Sequence, residues 1–273
     1  MGHGDLDRID TSTAHPARRY NYWLGGKDNF AADRESGDAI AAVYPAIRTT
    51  ALENRSFLRR AVRFLAAERG IRQFLDIGTG IPTADNTHEV AQAIAPDSRI
   101  VYVDNDPIVL THARALLASA AGGATAYLDA DLRDPETIVE HPDLRSTLDL
   151  DRPVALMLIA IMHFVFDEDK PYEIVRRLID ALPAGSYLVM THGTGDLADP
   201  AVRAHAEEQV RTGKLRVDAR PRSRDEIAGF FDGLELVDPG IVPVIDWHPT
   251  VPEGDRPSVF DVAMYGAVAR KPS

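Results

Sequence analysis

The sequence Arg72-Gln-Phe-Leu-Asp-Ile-Gly-Thr-Gly80 combines a short apolar strand pattern with a turn that contains two glycines. A second strand pattern follows at Arg99–Asp104. Between the two, Asn86 and Glu89 have the spacing of a capping box, which predicts the start of a helix. A strand, a helix and a second strand in this order predict a parallel pair of strands with a crossover helix.

The same alternation continues along the rest of the chain. The run Pro153–Ala160 is apolar throughout, as expected of a central strand that is buried on both faces. Further strands are predicted at 125–129, 186–191, within 234–244 and at 260–269, and helices at 54–68, 171–182 and 223–233. Another helix is predicted to begin at Asp106-Pro107 and to bury Val109, Ala113, Leu116 and Leu117. We therefore predict an α/β fold, a doubly wound Rossmann-like sheet with helices on both faces and an antiparallel pair at one edge.

The composition is that of an ordinary globular protein, and it narrows the function. The 273 residues suit one large domain, which we place at 54–273, after an N-terminal tail and possible lid segment at 1–53. The net charge of −12 disfavours a nucleic-acid partner. The chain has no cysteine, which excludes thiolate chemistry, and no apolar run long enough for a membrane span. No secretory signal is recognisable, so we expect a cytoplasmic protein; the oligomeric state stays open.

Acids and glycines at the predicted strand ends indicate a nucleoside site. In an open α/β sheet, ligands bind beyond the carboxyl ends of the strands, and glycines at the first turn let the backbone approach them closely. Asp104 ends the second strand, where a carboxylate can accept hydrogen bonds from both ribose hydroxyls. Asp131 follows the third strand, where it can bind the exocyclic amine of adenine while Leu132 covers the ring.

Two departures from the dinucleotide fingerprint favour S-adenosylmethionine (SAM) over NAD. Thr83 replaces the third glycine of G-x-G-x-x-G. Asp76 precedes the glycine turn, where a carboxylate suits the ammonium of an amino-acid tail better than a pyrophosphate. We predict a site that binds SAM and releases S-adenosylhomocysteine (SAH), and that contains the residues Asp76, Gly78, Thr79, Gly80, Asp104, Asn105, Asp131, Leu132 and Ala160.

The order of these motifs resembles that of the class I SAM-dependent methyltransferases. More closely, the chain is similar to the actinobacterial S-adenosyl methyltransferase family first described as DUF574. The resemblance rests on five segments, Arg18–Phe30 (RRYNYWLGGKDNF), Phe74–Thr83 (FLDIGTGIPT), Asn86–Glu89 (NTHE), Val101–Pro107 (VYVDNDP) and Phe230–Gly240 (FFDGLELVDPG). It implies a seven-stranded methyltransferase sheet and SAM as the cofactor, but it does not identify the methyl acceptor.

Residues outside the nucleoside motifs are candidates for substrate binding and catalysis. His163 follows the central strand and is the candidate general base, with a loop-holding histidine as the alternative. The N-terminal segment with the aromatic residues Tyr20, Tyr22 and Trp23 is a possible lid, in which Tyr22, Asn29 and Arg18 are candidate ligand contacts. The alternative is that these aromatic residues only pin the segment to the body of the protein. His192 ends the fifth strand and is considered with them. We predict no metal site, and we interpret the basic run 216–224 as a solvated loop.

The sequence narrows the acceptor without identifying it. No Asn/Asp-Pro-Pro-Tyr/Phe motif follows the fourth strand, which disfavours adenine in DNA, and the missing cysteine disfavours cytosine carbon-5. O- or N-methylation of a small molecule is therefore the leading interpretation. A catalytically silent SAM-binding sensor and an NAD-dependent oxidoreductase are the alternatives.

Overall fold

In the computed structural model, which describes residues 10–109, 111, 122–216 and 218–273, helices flank a central sheet. The strands of the described residues are β1 (Gln73–Ile77), β2 (Arg99–Asp104), β3 (Ala124–Asp129), β4 (Ala155–Ile159), β5 (Tyr187–Gly193), β6 (Glu235–Leu236), β7 (Val242–Pro243) and β8 (Met264–Arg270). They are arranged in the order β3-β2-β1-β4-β5-β8-β6, and β7 also pairs with β8. The first five strands are parallel, and β8 is antiparallel to β5, as predicted for one edge.

The two short strands at the edge share one position in the sheet. β6 pairs with the end of β8 at Arg270, and β7 pairs with its beginning near Tyr265. Both lie on the side of β8 that faces away from β5. The sheet therefore has the seven positions that were expected, with an interrupted edge strand.

The helices of the described residues are α1 (Pro16–Trp23), α2 (Ala31–Val43), α3 (Ile47–Ala67), α4 (Thr87–Ile94), α5 (Pro135–Val139), α6 (Pro142–Thr147), α7 (Pro171–Asp180), α8 (Pro200–Arg211) and α9 (Arg224–Ala228). α3 begins at Ile47 rather than near Asn54, because its buried face continues through the polar residues Thr50 and Asn54. Val109 is buried as predicted, whereas Ala113, Leu116 and Leu117 lie outside the described residues.

Two apolar cores lie on the two faces of the sheet. Alternate residues of β1 and β4 point to opposite cores, with Leu75 and Leu156 in one and Phe74 and Met157 in the other. This burial on both faces explains why Pro153–Ala160 contains no alternating polar residues. Among the described residues, no helix has the length and apolar character needed to cross a bilayer.

Candidate functional site

A cavity of about 470 Å³ opens at the carboxyl ends of the parallel strands, beneath α1. It is large enough for a drug-sized ligand, since such pockets measure roughly 300–1,000 Å³. The structure brings together there all nine predicted cofactor-binding residues and His163. The lining contains Asp76, Gly78, Thr79, Gly80, Asp104, Asn105, Asp131, Leu132, Ala160 and His163.

The glycine turn after β1 adopts a backbone that favours glycine. Gly78 and Gly80 have φ angles of 73° and 66°, in the left-handed region. The Gly78 amide donates to the carbonyl of Val103 at 2.8 Å, which ties the turn to β2. A Cβ at Gly78 would lie 2.5 Å from the Ile161 side chain, whereas one at Gly80 would meet nothing nearer than Ala17, at 3.9 Å. Gly78 is therefore also required by packing.

Asp104 is buried at the end of β2 and is held by backbone donors. Its Oδ2 accepts from the amide of Gly80 at 2.8 Å, and its Oδ1 accepts from the amide of Asp106 at 2.9 Å. Burial raises the pKa of Asp104 above its ordinary value, although these hydrogen bonds oppose the change. Because a carboxylate offers about four acceptor positions, two remain for a ligand.

Asp76 is the second buried acid of the cavity. Its Oδ2 accepts a hydrogen bond from the Thr87 hydroxyl at 2.6 Å. Burial raises the pKa of Asp76 to about 6, and the nearby charge of Asp104 contributes. A cation that entered the cavity beside Asp76 would offset this desolvation.

Asp131 and Asn105, predicted from separate strand ends, contact each other. The Asn105 amide donates to Asp131 Oδ2 at 3.2 Å. Arg133 donates to both carboxylate oxygens, at 2.9 and 2.6 Å, and lowers the pKa of Asp131. The carboxylate is thus ionised and held in a fixed orientation.

A buried ion pair fixes α1 over the strand ends. The Arg18 guanidinium donates from Nε and Nη2 to the two carboxylate oxygens of Asp106, at 2.9 and 3.0 Å, and His15 Nδ1 lies 3.1 Å from the same group. Asp106 also accepts from the Ile108 amide at 3.0 Å, as its predicted capping role requires. Arg18 therefore holds the N-terminal segment in place through a protein carboxylate.

A chain of hydrogen bonds crosses the inner wall of the cavity. The Asn54 amide donates to the Tyr20 hydroxyl at 2.8 Å, and the Thr191 hydroxyl donates to Asn54 Oδ1 at 2.7 Å. Ala160 has a φ of 54°, which is unusual for a residue with a side chain, and its amide donates to the Thr191 oxygen at 2.8 Å. These hydrogen bonds fix the strained backbone of Ala160, which directly follows β4 and lines the cavity.

The two histidines are electrically neutral, with His192 fully buried and His163 partly buried at the cavity. Burial lowers the pKa of His163 to about 3 and that of His192 to about 4, and the charge of Arg222 contributes to both. His163 Nδ1 accepts from the Gly193 amide at 3.5 Å. His192 does not line the cavity; it accepts from Arg222 at Nε2 and donates from Nδ1 to the Gly193 carbonyl.

Tyr22 and Asn29 lie in the N-terminal segment but outside the cavity lining. The Tyr22 hydroxyl donates to Asp38 at 2.8 Å, and the Asn29 amide donates to Asn21 and to the Gly26 carbonyl, each at 3.0 Å. These contacts are internal to the segment, and the ligand roles of both residues stay predictions.

Several residues of the site were missed by sequence reasoning. Asn54 and Arg19 line the cavity, and of these Arg19 had a visible signal, its place beside Arg18 in the aromatic N-terminal segment. The solvated-loop interpretation of 216–224 is wrong for Arg222, which is fully buried and donates to the carbonyls of Met162 and Val165. Isolated polar residues such as Asn54 and Arg222 show no sign of burial in the sequence, and only the fold reveals their place in the site.

No cluster of three or more metal-ligating side chains occurs within the described residues. The sheet order, the glycine turn after β1 and the acids at the ends of β1 and β2 define the class of the SAM-dependent methyltransferases. A family model described as S-adenosyl methyltransferase matches residues 3–272, and the chain belongs to this family, with SAM as its cofactor.

Solved structures agree with this assignment. A DUF574 family protein of Streptomyces avermitilis MA-4680 is 55% identical, with 97% of this chain and 100% of that chain covered and a TM-score of 0.90. A protein of Thermobifida fusca YX that is assigned to the methyltransferases is 43% identical, with 97% of both chains covered and a TM-score of 0.86. An O-methyltransferase family protein of Burkholderia thailandensis, 14% identical, shares the fold, with 99% of this chain and 67% of that chain covered and a TM-score of 0.53. None of the curated proteins compared with the chain matches it.

Proposed function

We propose that the chain transfers the methyl group of SAM to an oxygen or nitrogen of a small-molecule acceptor inside this cavity, and that SAH and the proton of the acceptor are released as the other products. The observation that carries the proposal is the lining of one cavity by residues from successive strand ends and by a separate wall from α1 and α3. The first set suits a nucleoside, and the second leaves room for an acceptor.

In this proposal the three acids divide the cofactor among them. Asp104 accepts from the ribose hydroxyls with the positions that Gly80 and Asp106 leave free. Asn105 and Arg133 fill the four acceptor positions of Asp131, so the adenine amine beside Leu132 replaces one of these donors when it binds. Asp76 lies near the ammonium of the methionine tail. SAM supplies a methyl group activated by its sulfonium, so the protein has mainly to align an acceptor with it.

The acceptor wall is apolar and aromatic with few polar groups. It includes Tyr20, Trp23, Ile47, Leu58 and Met264. Such a wall suits a compact organic molecule and excludes water from the acceptor. The net charge of −12 disfavours a polyanionic acceptor such as DNA or RNA.

We assign His163 a hydrogen-bonding role instead of the general-base role predicted from sequence. Its pKa of about 3 makes it a weak base at neutral pH. Because Nδ1 accepts from the Gly193 amide, the proton of the neutral ring lies on Nε2. His163 can then donate one hydrogen bond to an acceptor oxygen and orient it.

The test is turnover with a panel of small hydroxylated and aminated metabolites, with SAM as the donor. We expect SAH formation together with a product whose mass corresponds to one added methyl group. His163→Gln, which keeps a donor, should retain much more activity than His163→Leu. Tight SAH binding without turnover of any acceptor would favour the catalytically silent SAM-binding protein.

A further inference from the structure

Arg19 is a buried cation in the wall of the cavity, and the hydrogen-bond donors of its guanidinium are only partly used. The residue is 5% exposed and lines the cavity together with His163 and Trp23. Its Nη1 donates to the Ser36 hydroxyl at 3.3 Å, and its Nη2 donates to the carboxylate of Asp218. Its Nε is buried and has no hydrogen-bond partner among the described residues.

Asp218, the partner of Arg19, is much more exposed to solvent than Arg19 itself. The Asp218 side chain is 45% exposed and the Arg19 side chain 6%. Asp218 also lines the cavity, so the ion pair lies between α1 and the chain after α8. A buried guanidinium with an unused donor offers a planar fork that fits a carboxylate in two-point contact. A second carboxylate that entered the cavity would satisfy the Nε and compete with Asp218.

We propose that Arg19 is a carboxylate-binding residue of the cavity and that Asp218 occupies its guanidinium until the ligand enters. This rests on the proposed function and extends it to the class of ligand. Arg19 lines the same cavity as His163, the residue proposed to orient the acceptor, and its charge contributes to the lowered pKa of His163. The carboxylate comes from the acceptor or from the amino-acid tail of the cofactor, and these two sources are separable.

The experiment measures binding by isothermal titration for the wild-type chain, Arg19→Gln and Asp218→Asn. The probes are SAH, 5′-methylthioadenosine, which lacks the amino-acid tail, and benzoate or the neutral isostere benzamide added to SAH-loaded protein. If the acceptor is the source, Arg19→Gln weakens benzoate about tenfold or more and leaves SAH unchanged. If the cofactor tail is the source, Arg19→Gln weakens SAH by a similar factor and leaves 5′-methylthioadenosine unchanged.

Asp218→Asn is the matched variant, because it removes the competing carboxylate from a half-exposed position. Asp218→Asn should tighten the binding of whichever carboxylate ligand Arg19 binds, the opposite of the effect of Arg19→Gln.

A purely structural ion pair would make both variants weaken the binding of SAH and of 5′-methylthioadenosine alike, and that result overturns the proposal. So does unchanged binding of every probe in Arg19→Gln. Failure of the wild-type chain to bind SAH would instead contradict the proposed function. If Arg19→Gln does not fold, Asp218→Asn decides alone: tighter carboxylate binding supports the proposal, and unchanged or weaker binding overturns it.

Discussion

At the scale of single residues, Asp104 is the side chain on which cofactor affinity should depend most. Its two backbone hydrogen bonds fix the carboxylate and leave acceptor positions toward the cavity. Asp104→Ala should weaken SAH binding by roughly 1–3 kcal/mol, the usual cost of leaving polar groups unpaired. Isothermal titration measures this, with the exposed Asp151→Asn as control. Unchanged affinity in Asp104→Ala would mean that the ribose lies elsewhere.

Asp76 should link cofactor binding and stability to pH. Its pKa is 3.8 in an unperturbed side chain and about 6 in the folded chain, so between these pH values the folded state binds more protons than the unfolded state. The free energy of unfolding should therefore fall as pH rises through this window, because an uncompensated carboxylate becomes buried. In Asp76→Asn this fall should be smaller. Urea unfolding at pH 5 and pH 7.5 compares the two proteins, and an equal pH dependence would contradict the assignment.

The affinity for SAH should change with pH in the direction opposite to that of the free energy of unfolding. SAH brings an ammonium that pairs with ionised Asp76, so its affinity for the wild-type chain should rise with pH up to about 6 and then level off. Asp76→Asn should bind SAH more weakly with a flatter pH profile. Equal profiles for the two proteins would place the ammonium away from Asp76.

Gly78 and Gly80 share a left-handed backbone, but only Gly78 is closely packed, so the two positions separate backbone strain from packing. Both have positive φ, so alanine at either position should cost about 1–2 kcal/mol. Gly78→Ala should cost about 1–3 kcal/mol more, since its Cβ would displace Ile161. Urea unfolding measures the difference. Equal destabilisation would show that Ile161 moves without cost. A still larger side chain, as in Gly78→Val, would disturb the same packing and is for this reason a poor test of the site.

At the scale of elements, the ion pair between α1 and the loop after β2 should contribute strongly to stability. Both side chains are nearly fully buried, so Arg18→Met would leave the Asp106 carboxylate with only His15 and the Ile108 amide among the partners described above. A loss of about 3–5 kcal/mol in the free energy of unfolding is expected. Arg211→Met, which breaks the exposed pair with Glu208, should cost about 1 kcal/mol or less. A similarly small loss in both variants would contradict the conclusion that the Arg18–Asp106 ion pair fixes α1.

The elements that were predictable from sequence are those with a strong apolar pattern. β1, β2 and β4 are buried on almost every residue, and the helix starts predicted at the capping pair Asn86–Glu89 and at residue 223 are both confirmed. The helices α1 and α2 were not predicted, because their buried positions include Arg18, Arg19, Asn21 and Asp33. Polar residues of this kind are buried only because tertiary partners satisfy them.

At the scale of the whole molecule, the gathering of the predicted cofactor residues in one cavity was predictable from sequence, and the wall proposed for the acceptor was not. The glycine turn and the acids lie at successive strand ends, so chain order alone brings them to one edge of the sheet. Tyr20, Asn54 and Thr191 come from α1, α3 and β5, and only the folded chain joins them. The loss of basicity at His163 likewise depends on burial and on Arg222, which lies far away in sequence.

The central claim is that this cavity is a SAM site in a methyltransferase and not a dinucleotide site. Parallel isothermal titrations of the wild-type chain with SAH and with NAD test it most directly, with Asp104→Ala as the site control. We expect saturable binding of SAH at one site per chain, weakened in Asp104→Ala, and no measurable binding of NAD. Saturable binding of NAD without binding of SAH would contradict the account.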